Sequence, residues 1–252
     1  MRTLAVIPAR LGATRLPRKP LRLLAGRPLV VRVWERVLAM QVAERCVIAS
    51  DSEEVAAAAR ASGAEIVLTS SAHPSGTDRV AEVADDARYA GFDAILNVQG
   101  DEPFVATEAL RGALRLVTSG DFELGTAAAC ASTDILGAPH IVKVVTADDG
   151  RAMYFSRAAI PYLRDAVDAP LLTGRVWQHI GVYAYRRDAL ARWVALPPHP
   201  LEIIERLEQL RPLAAGLTMG VALVSEAPRA GIDTEDDLVR ANAEWMDLPG
   251  RH

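Results

Sequence analysis

Ile7-Pro8-Ala9-Arg10-Leu11-Gly12-Ala13-Thr14-Arg15-Leu16-Pro17-Arg18-Lys19-Pro20 is the stretch on which the fold turns. The apolar residues 4–7 read as a buried strand that delivers it. Pro8 stops the strand, because proline has no N–H to give to a ladder. Gly12 and Thr14 make a small loop whose backbone N–H groups can turn inward. Arg10, Arg15, Arg18 and Lys19 surround it with positive charge, and no Asp or Glu occurs before Glu35. A loop leaving the carboxyl end of a strand lies where open α/β sheets bind ligands. One reading is a triphosphate cradle, with backbone amides, Arg and Lys on anionic oxygens. The other is a solvated basic loop. The tight Pro, Gly and Pro punctuation favours the cradle.

Downstream, strand-like and helix-like stretches alternate. Residues 28–40 form a helix opened by Pro28, with Val30, Val33, Trp34 and Val37 at helical spacing. Residues 46–49 are a second strand. Asp51 caps a helix, Glu54 completes a capping box, and Gly63 ends it. Residues 64–68 are a third strand, 78–89 a helix and 94–98 a fourth strand. Such alternation predicts a doubly wound, mostly parallel α/β sheet with right-handed crossovers. From about Thr126 less helix separates the strands, at 126–131, 141–146, 152–155 and 180–185, which predicts an inserted smaller α+β lobe. Residues 168–174 read as a mobile loop. After Pro197-Pro198-His199-Pro200, a helix over 201–211 sets Glu202, Glu205 and Gln209 on one face. A strand at 219–224, a closing helix carrying Trp245 and a frayed tail at 250–252 complete the chain. The expected organisation is one domain. Residues 1–130 and 229–252 form a nucleotide-binding core, and 131–228 a lobe for substrate and dimer contacts.

A chain of 252 residues can bury such a core, and half of its residues are hydrophobic. The net charge of −4 argues against general nucleic-acid binding, whereas the local basic cluster suits a small polyanion. No basic segment followed by a long apolar run opens the chain, and no stretch is long enough to span a bilayer, so a cytoplasmic protein is expected. Cys46 and Cys130 read as buried free thiols, and their spacing fits no zinc pattern.

Other stretches carry chemistry. Gln99-Gly100-Asp101-Glu102-Pro103 follows the fourth strand directly. An acidic pair there is expensive unless it faces a cation or water. Solvent-facing carboxylates on a turn would suffice, but the pair shares the sheet edge with the basic loop. Asp101 is therefore a candidate ligand for Mg²⁺ on triphosphate oxygens, with Glu102 supporting the turn. His73-Pro74-Ser75-Gly76-Thr77-Asp78-Arg79 is at least a helix start. Arg157 and Arg164 lie in a loop where they could pair with Asp165 or with a carboxylate ligand. His179 and Tyr183, four apart on a strand, point to one face, where Tyr183 could equally fill core. The acids of 233–237 suit a helix start.

Residues 8–20 resemble the amino-terminal motif of the sugar nucleotidyltransferases, Pro-Ala-Arg-x-x-x-Thr-Arg-Leu-Pro-x-Lys-Pro in the cytidylyl branch; no Walker Gly-Lys-Ser/Thr follows. Asn97-Val98-Gln99-Gly100-Asp101-Glu102-Pro103, Tyr154-Phe155-Ser156-Arg157, His179-Ile180-Gly181-Val182-Tyr183 and Leu207-Glu208-Gln209-Leu210-Arg211 are similar to blocks of the members that activate 3-deoxy-manno-octulosonate (KDO). The resemblance implies a Rossmann-like nucleotidyltransferase fold and a homodimer. It implies conversion of CTP and KDO to CMP-KDO and pyrophosphate, for lipopolysaccharide biosynthesis, by Mg²⁺-dependent in-line attack of the anomeric hydroxyl on the α-phosphorus.

The same resemblance implies residue roles. Pro8, Ala9, Arg10, Arg15 and Lys19 would hold the triphosphate, and Ser75, Gly76 and Arg79 would flank the cytosine. Gln99 and Gly100 would line the nucleotide, Gln99 also touching the sugar. Asp101 and Asp233 would bind the metal and, with Arg10, Arg15 and Lys19, form the catalytic set. Arg157, Arg164, His179, Tyr183, Glu208 and Gln209 would contact the sugar acid. The chain departs from the family at Pro139-His140, where Pro-Asn is usual before the run Val142-Lys143-Val144-Val145, although Lys143 is kept. Two rivals remain: a cytidylyltransferase for another acid (8-amino-KDO or sialic acid), and a non-catalytic nucleotide-binding regulator.

Overall fold

A computed structural model describes residues 1–12, 15–225 and 227–246. Ala13 and Thr14 of the basic loop and the tail at 250–252 lie outside the described residues. The chain divides into two compact units, one of residues 2–105 and 229 onward, the other of residues 106–228. The boundary falls at residue 105, so residues 106–130, expected in the core, belong with the second unit.

In the first unit, β1 (Thr3–Ala9) is followed by a small hairpin, β2 (Leu23–Leu24) and β3 (Arg27–Pro28), then α1 (Leu29–Met40). Next come β4 (Arg45–Ser50), α2 (Glu53–Ala61), β5 (Ile66–Leu68), α3 (Gly76–Asp85) and β6 (Ala94–Asn97). β1 lies between β4 and β6 and runs parallel to both, while β5 extends the sheet parallel to β4. A strand paired on both edges and covered on both faces must be apolar throughout. Leu4, Ala5, Val6 and Ile7 are accordingly fully buried. α1 turns Val30, Val33 and Val37 inward, and Trp34 donates its indole N–H to the Cys46 carbonyl at 3.2 Å.

Two helix starts differ from expectation. Ser52, not Asp51, caps α2 by accepting the Val55 N–H, because Asp51 is drawn into an ion pair with Arg79. Ser75 caps α3, which stops at Asp85; an extended Asp86 separates it from a single 3₁₀ turn at Ala87–Tyr89.

The second unit holds α4 (Thr107–Thr118), β7 (Leu124–Cys130), β8 (Lys143–Thr146), β9 (Ala152–Ser156) and β10 (Trp177–Arg186). It continues with α5 (Arg187–Ala195), α6 (Pro200–Glu205), α7 (Leu210–Ala214) and β11 (Met219–Val224). The expected antiparallel pairing holds between β7 and β10, β10 and β8, and β8 and β9, whereas β11 runs parallel to β7. The expected loop at 168–174 is mostly a 3₁₀ helix, Ala166–Leu172. The expected helix over 201–211 is two helices, because Arg206 takes a left-handed conformation (φ 56°). Glu202, Glu205 and Gln209 therefore share no face. Cys46 is buried as expected, but Cys130, at the end of β7, is exposed. The last described element, α8 (Glu235–Met246), lies back in the first unit. No helix among the described residues is long and apolar enough to cross a membrane.

α4 lies on its sheet through Ala109, Leu110, Ala113, Leu114 and Val117, all buried. The approach is close enough that a Cβ on Gly125 of β7 would stand 2.2 Å from the Ala113 carbonyl oxygen. Backbone cannot yield as a flexible side chain would. Gly125→Ala is expected to lower the unfolding free energy by about 1–3 kcal/mol or more, as overpacking does. Chemical denaturation checks it, and Gly137→Ala, with nothing within 4 Å of its Cβ position, serves as the control.

Candidate active site

Because β1, β4, β5 and β6 run parallel, the segments that follow them leave on one edge of the first unit. Arg10, Asp51, Thr69 and Gln99 begin near those strand ends. The segments that follow β5 and β6 both come close to Pro8. A Cβ on Gly100 would stand 2.8 Å from the Pro8 carbonyl oxygen, so glycine lets the turn after β6 lie against the end of β1. A Cβ on Gly76, at the start of α3, would be 3.6 Å from the Pro8 ring.

Lys19 stands in the middle of this edge. Its ammonium donates to Asp101 Oδ2 at 2.6 Å and to Asp233 Oδ1 at 2.7 Å. Arg15 Nη2 reaches Asp233 Oδ2 at 2.9 Å. The Ile232 N–H donates to the Asp101 carbonyl at 3.0 Å, which brings the segment before α8 against the turn after β6. Burial pulls the Lys19 pKa down, but the two carboxylates outweigh it and raise it above the ordinary value. Glu102 is pushed up to about 8, first by burial and then by the charges of Asp101 and Asp233, with Lys19 opposing. Asp101 and Asp233 thus share one half-buried ammonium, and Asp233 has Arg15 besides. Arg18 pairs with Glu54 and Arg22 with Glu235, while Arg10 is exposed.

The donors on this edge are oxygens, which suit a hard divalent cation. Among the described residues no group of three or more His, Cys, Asp or Glu forms a metal cage. Asp101 and Asp233 therefore fit an ion that takes its remaining ligands from phosphate and water, as Mg²⁺ usually does.

On the neighbouring loop, the Ser75 hydroxyl accepts the Asp78 N–H and donates to Asp78 Oδ2 at 2.7 Å. Its one proton is thereby committed within the loop. Arg79 is 4% exposed; its guanidinium bonds Thr69 Oγ1 and pairs with Asp51 Oδ2 at 3.1 Å. It braces the loops after β4 and β5 from beneath. Gln99 and Gly100 are half-buried.

In the second unit Arg157 and His179 are built into a polar scaffold. Lys143 is fully buried, and its three N–H donors go to the carbonyls of Ala138 (3.0 Å), Ile141 (2.8 Å) and Arg157 (2.6 Å). Desolvation lowers its pKa, with Glu205 opposing and Arg157 adding. Glu205 accepts from the Ser156 hydroxyl (2.6 Å) and the Arg157 N–H (2.9 Å). The Arg157 guanidinium donates to the Glu205 and Pro139 carbonyls. Arg157 thus anchors its own loop as well as presenting charge. Glu202 is held by Arg211 through Nε (2.8 Å) and Nη2 (2.5 Å), both side chains being nearly buried. Gln209 is 3% exposed, Glu208 is half-buried and Arg164 is exposed.

His179 and Tyr183 lie with ring centroids 5.5 Å apart, and Phe155 meets the His179 ring edge-on at 4.9 Å. Between them β10 bulges against β7. Ile180 to Tyr183 is three steps opposite the single step from Ala127 to Thr126, so β10 carries two extra residues. An even insertion preserves the alternation of faces. Thr126, Lys143 and Glu205 received no site role from sequence reasoning. The available signal was a lysine inside the apolar run Ile141-Val142-Lys143-Val144-Val145, which must find partners if buried. Lys143→Met should cost about 1–3 kcal/mol for each carbonyl left without a donor or water. Thermal unfolding checks this, and retention of wild-type stability would show that water replaces the ammonium.

A parallel sheet with a basic loop and two aspartates on one carboxyl edge is the layout of a nucleotide-dependent transferase. Residues 4–219 match the family described as cytidylyltransferase. A 3-deoxy-manno-octulosonate cytidylyltransferase of Gemmatimonas aurantiaca is 64% identical over 97% of this chain and 95% of its own. That of Polynucleobacter asymbioticus is 45% identical over 94% and 93%. A solved structure of CMP:2-keto-3-deoxy-manno-octonic acid synthetase complexed with CTP superposes with a TM-score of 0.90 at 35% identity, covering 98% of this chain and 99% of that one. The chain belongs to the cytidylyltransferase family, among the 3-deoxy-manno-octulosonate cytidylyltransferases.

Proposed function

We propose that this protein transfers the cytidylyl group of CTP to KDO, giving CMP-KDO and pyrophosphate, the activated sugar acid that lipopolysaccharide synthesis consumes. The observation that carries the reading is the convergence of Lys19, Arg15, Asp101 and Asp233 on one sheet edge. The anomeric hydroxyl of KDO attacks the α-phosphorus, the bond to the β-phosphate oxygen breaks, and the hydroxyl proton is lost. Arg10, Arg15 and Lys19 bind the triphosphate and neutralise the leaving pyrophosphate. Pro8, Ala9 and Gly100 bring backbone close to it. Ser75 and Gly76 line the base, Arg79 braces them, and Gln99 faces nucleotide and sugar. Arg157, Arg164, His179, Tyr183, Glu208 and Gln209 receive the sugar acid, with arginine taking its carboxylate.

Asp101 and Asp233 are proposed to hold Mg²⁺. When bound, this ion polarises the phosphoryl group and orients the reactants. Lys19 fills the space between the two carboxylates in this structure and would turn toward phosphate oxygens when nucleotide enters. A homodimer in the cytoplasm completes the proposal.

Pyrophosphate release with a panel of nucleotides and sugar acids tests the function. CTP with KDO is expected to turn over fastest. Equal turnover with ATP or GTP, or preference for a sialic acid, would overturn the substrate assignment, and no release with any pair would favour a non-catalytic binding protein.

Asp101→Asn and Asp233→Asn each remove a charge while nearly keeping shape. Each should lower kcat on the order of 10²–10³-fold, the cost of losing a principal electrostatic contributor. The double variant should be little worse than the poorer single one, as groups acting in one unit behave. Wild-type turnover in Asp233→Asn would remove that residue from the proposed metal site.

A further inference from the structure

Thr126 is fully buried on β7, opposite the bulge of β10. Its Oγ1 lies 2.7 Å from the Val182 carbonyl oxygen, 3.3 Å from that of Ile180 and 2.9 Å from His179 Nε2. A hydroxyl has one proton to give. A carbonyl oxygen can only accept, so an O···O separation of 2.7 Å requires that proton to point at Val182. Only lone pairs then remain toward His179, and Nε2 must carry the hydrogen between them.

We infer that Thr126 is a positioning residue of the sugar-acid pocket: it fixes His179 as the Nε2–H tautomer and leaves Nδ1 as the group offered to the substrate. The pocket half of this inference rests on the function proposed above; the tautomer does not. A neutral imidazole with Nε2–H committed has one remaining function, a lone pair on Nδ1. That lone pair accepts from a sugar hydroxyl and repels a carboxylate. His179 then reads a hydroxyl of the polyhydroxy acid and leaves the carboxylate to an arginine. Desolvation acts in the same direction, pushing the imidazole down to about 3 and keeping it uncharged at neutral pH.

Heteronuclear NMR of the imidazole nitrogens in the full-length protein tests the first half. Wild type at neutral pH should show Nε2 protonated and Nδ1 with the shift of a bare nitrogen. A charged ring or the Nδ1–H tautomer would overturn the inference. Thr126→Val keeps the shape but removes the acceptor, and the two tautomers should then mix; Thr126→Ser should restore the wild-type spectrum. A Thr126→Val spectrum identical to wild type would also overturn it.

Steady-state kinetics test the second half. Thr126→Val should raise KM for KDO about three- to tenfold, the range of one neutral hydrogen bond, with KM for CTP unchanged and Thr126→Ser near wild type. If the tautomer is as stated while both Thr126→Val and His179→Ala leave KM for KDO unchanged, Thr126 has no positioning role toward substrate. The placement of His179 in the pocket falls with it, and the tautomer assignment stands. Should Thr126→Val fail to fold, the Thr126→Ser pair of measurements and the wild-type spectrum still decide the assignment.

Discussion

Two aspartates and a glutamate brought to one sheet edge repel one another, and the ammonium of Lys19 is what lets them stay. It bonds Asp101 and Asp233 directly, while burial first, and then the charges of the two aspartates, favour the protonated form of Glu102. Residues from the start, middle and end of the chain are joined through this one cation. The segment before α8 is held against the turn after β6 by these bonds and by the Ile232 N–H on the Asp101 carbonyl. A site held by so few charges can rearrange when a ligand brings its own. In the proposed complex, triphosphate oxygens would compete for the ammonium and a metal ion for the carboxylates.

Much of the first unit was legible because its signals are local. β1 is buried on both faces, so its residues are apolar in unbroken sequence, and the strands and helices after it alternate cleanly. The second unit hid more. α4 was not among the elements expected from the sequence, and Gly112 in its middle weakens its helical signal. That glycine answers to packing, since a Cβ there would meet the Ala222 side chain at 2.6 Å. The break between α6 and α7 rests on Arg206, a residue type with no marked preference for left-handed backbone. Asp51 looked like a helix cap because its other partner, Arg79, lies far along the chain.

The candidate site divides along the same line. The basic loop and Asp101 stand in recognisable runs, and the parallel sheet carries them to one edge without further information. Asp233 needed a family resemblance, because acids at a helix start have an ordinary explanation. Thr126 and Glu205 bond groups of residues far along the chain, and Lys143 joins the nearby Ala138 and Ile141 carbonyls to that of Arg157. Such bonds depend on register and on where loops fold back, and neither is written in the spacing of side chains.

The bulge of β10 constrains how many residues this strand can gain or lose. Each residue added to or removed from a strand exchanges its two faces beyond that point. The two extra residues between Ile180 and Tyr183 leave the faces unexchanged. Losing one alone would swing Tyr183 away from His179 and carry buried Ala184 and Tyr185 to opposite sides. Removing two residues here would keep the faces beyond the bulge as they are, whereas removing one would exchange them unless the remaining bulge absorbed the change.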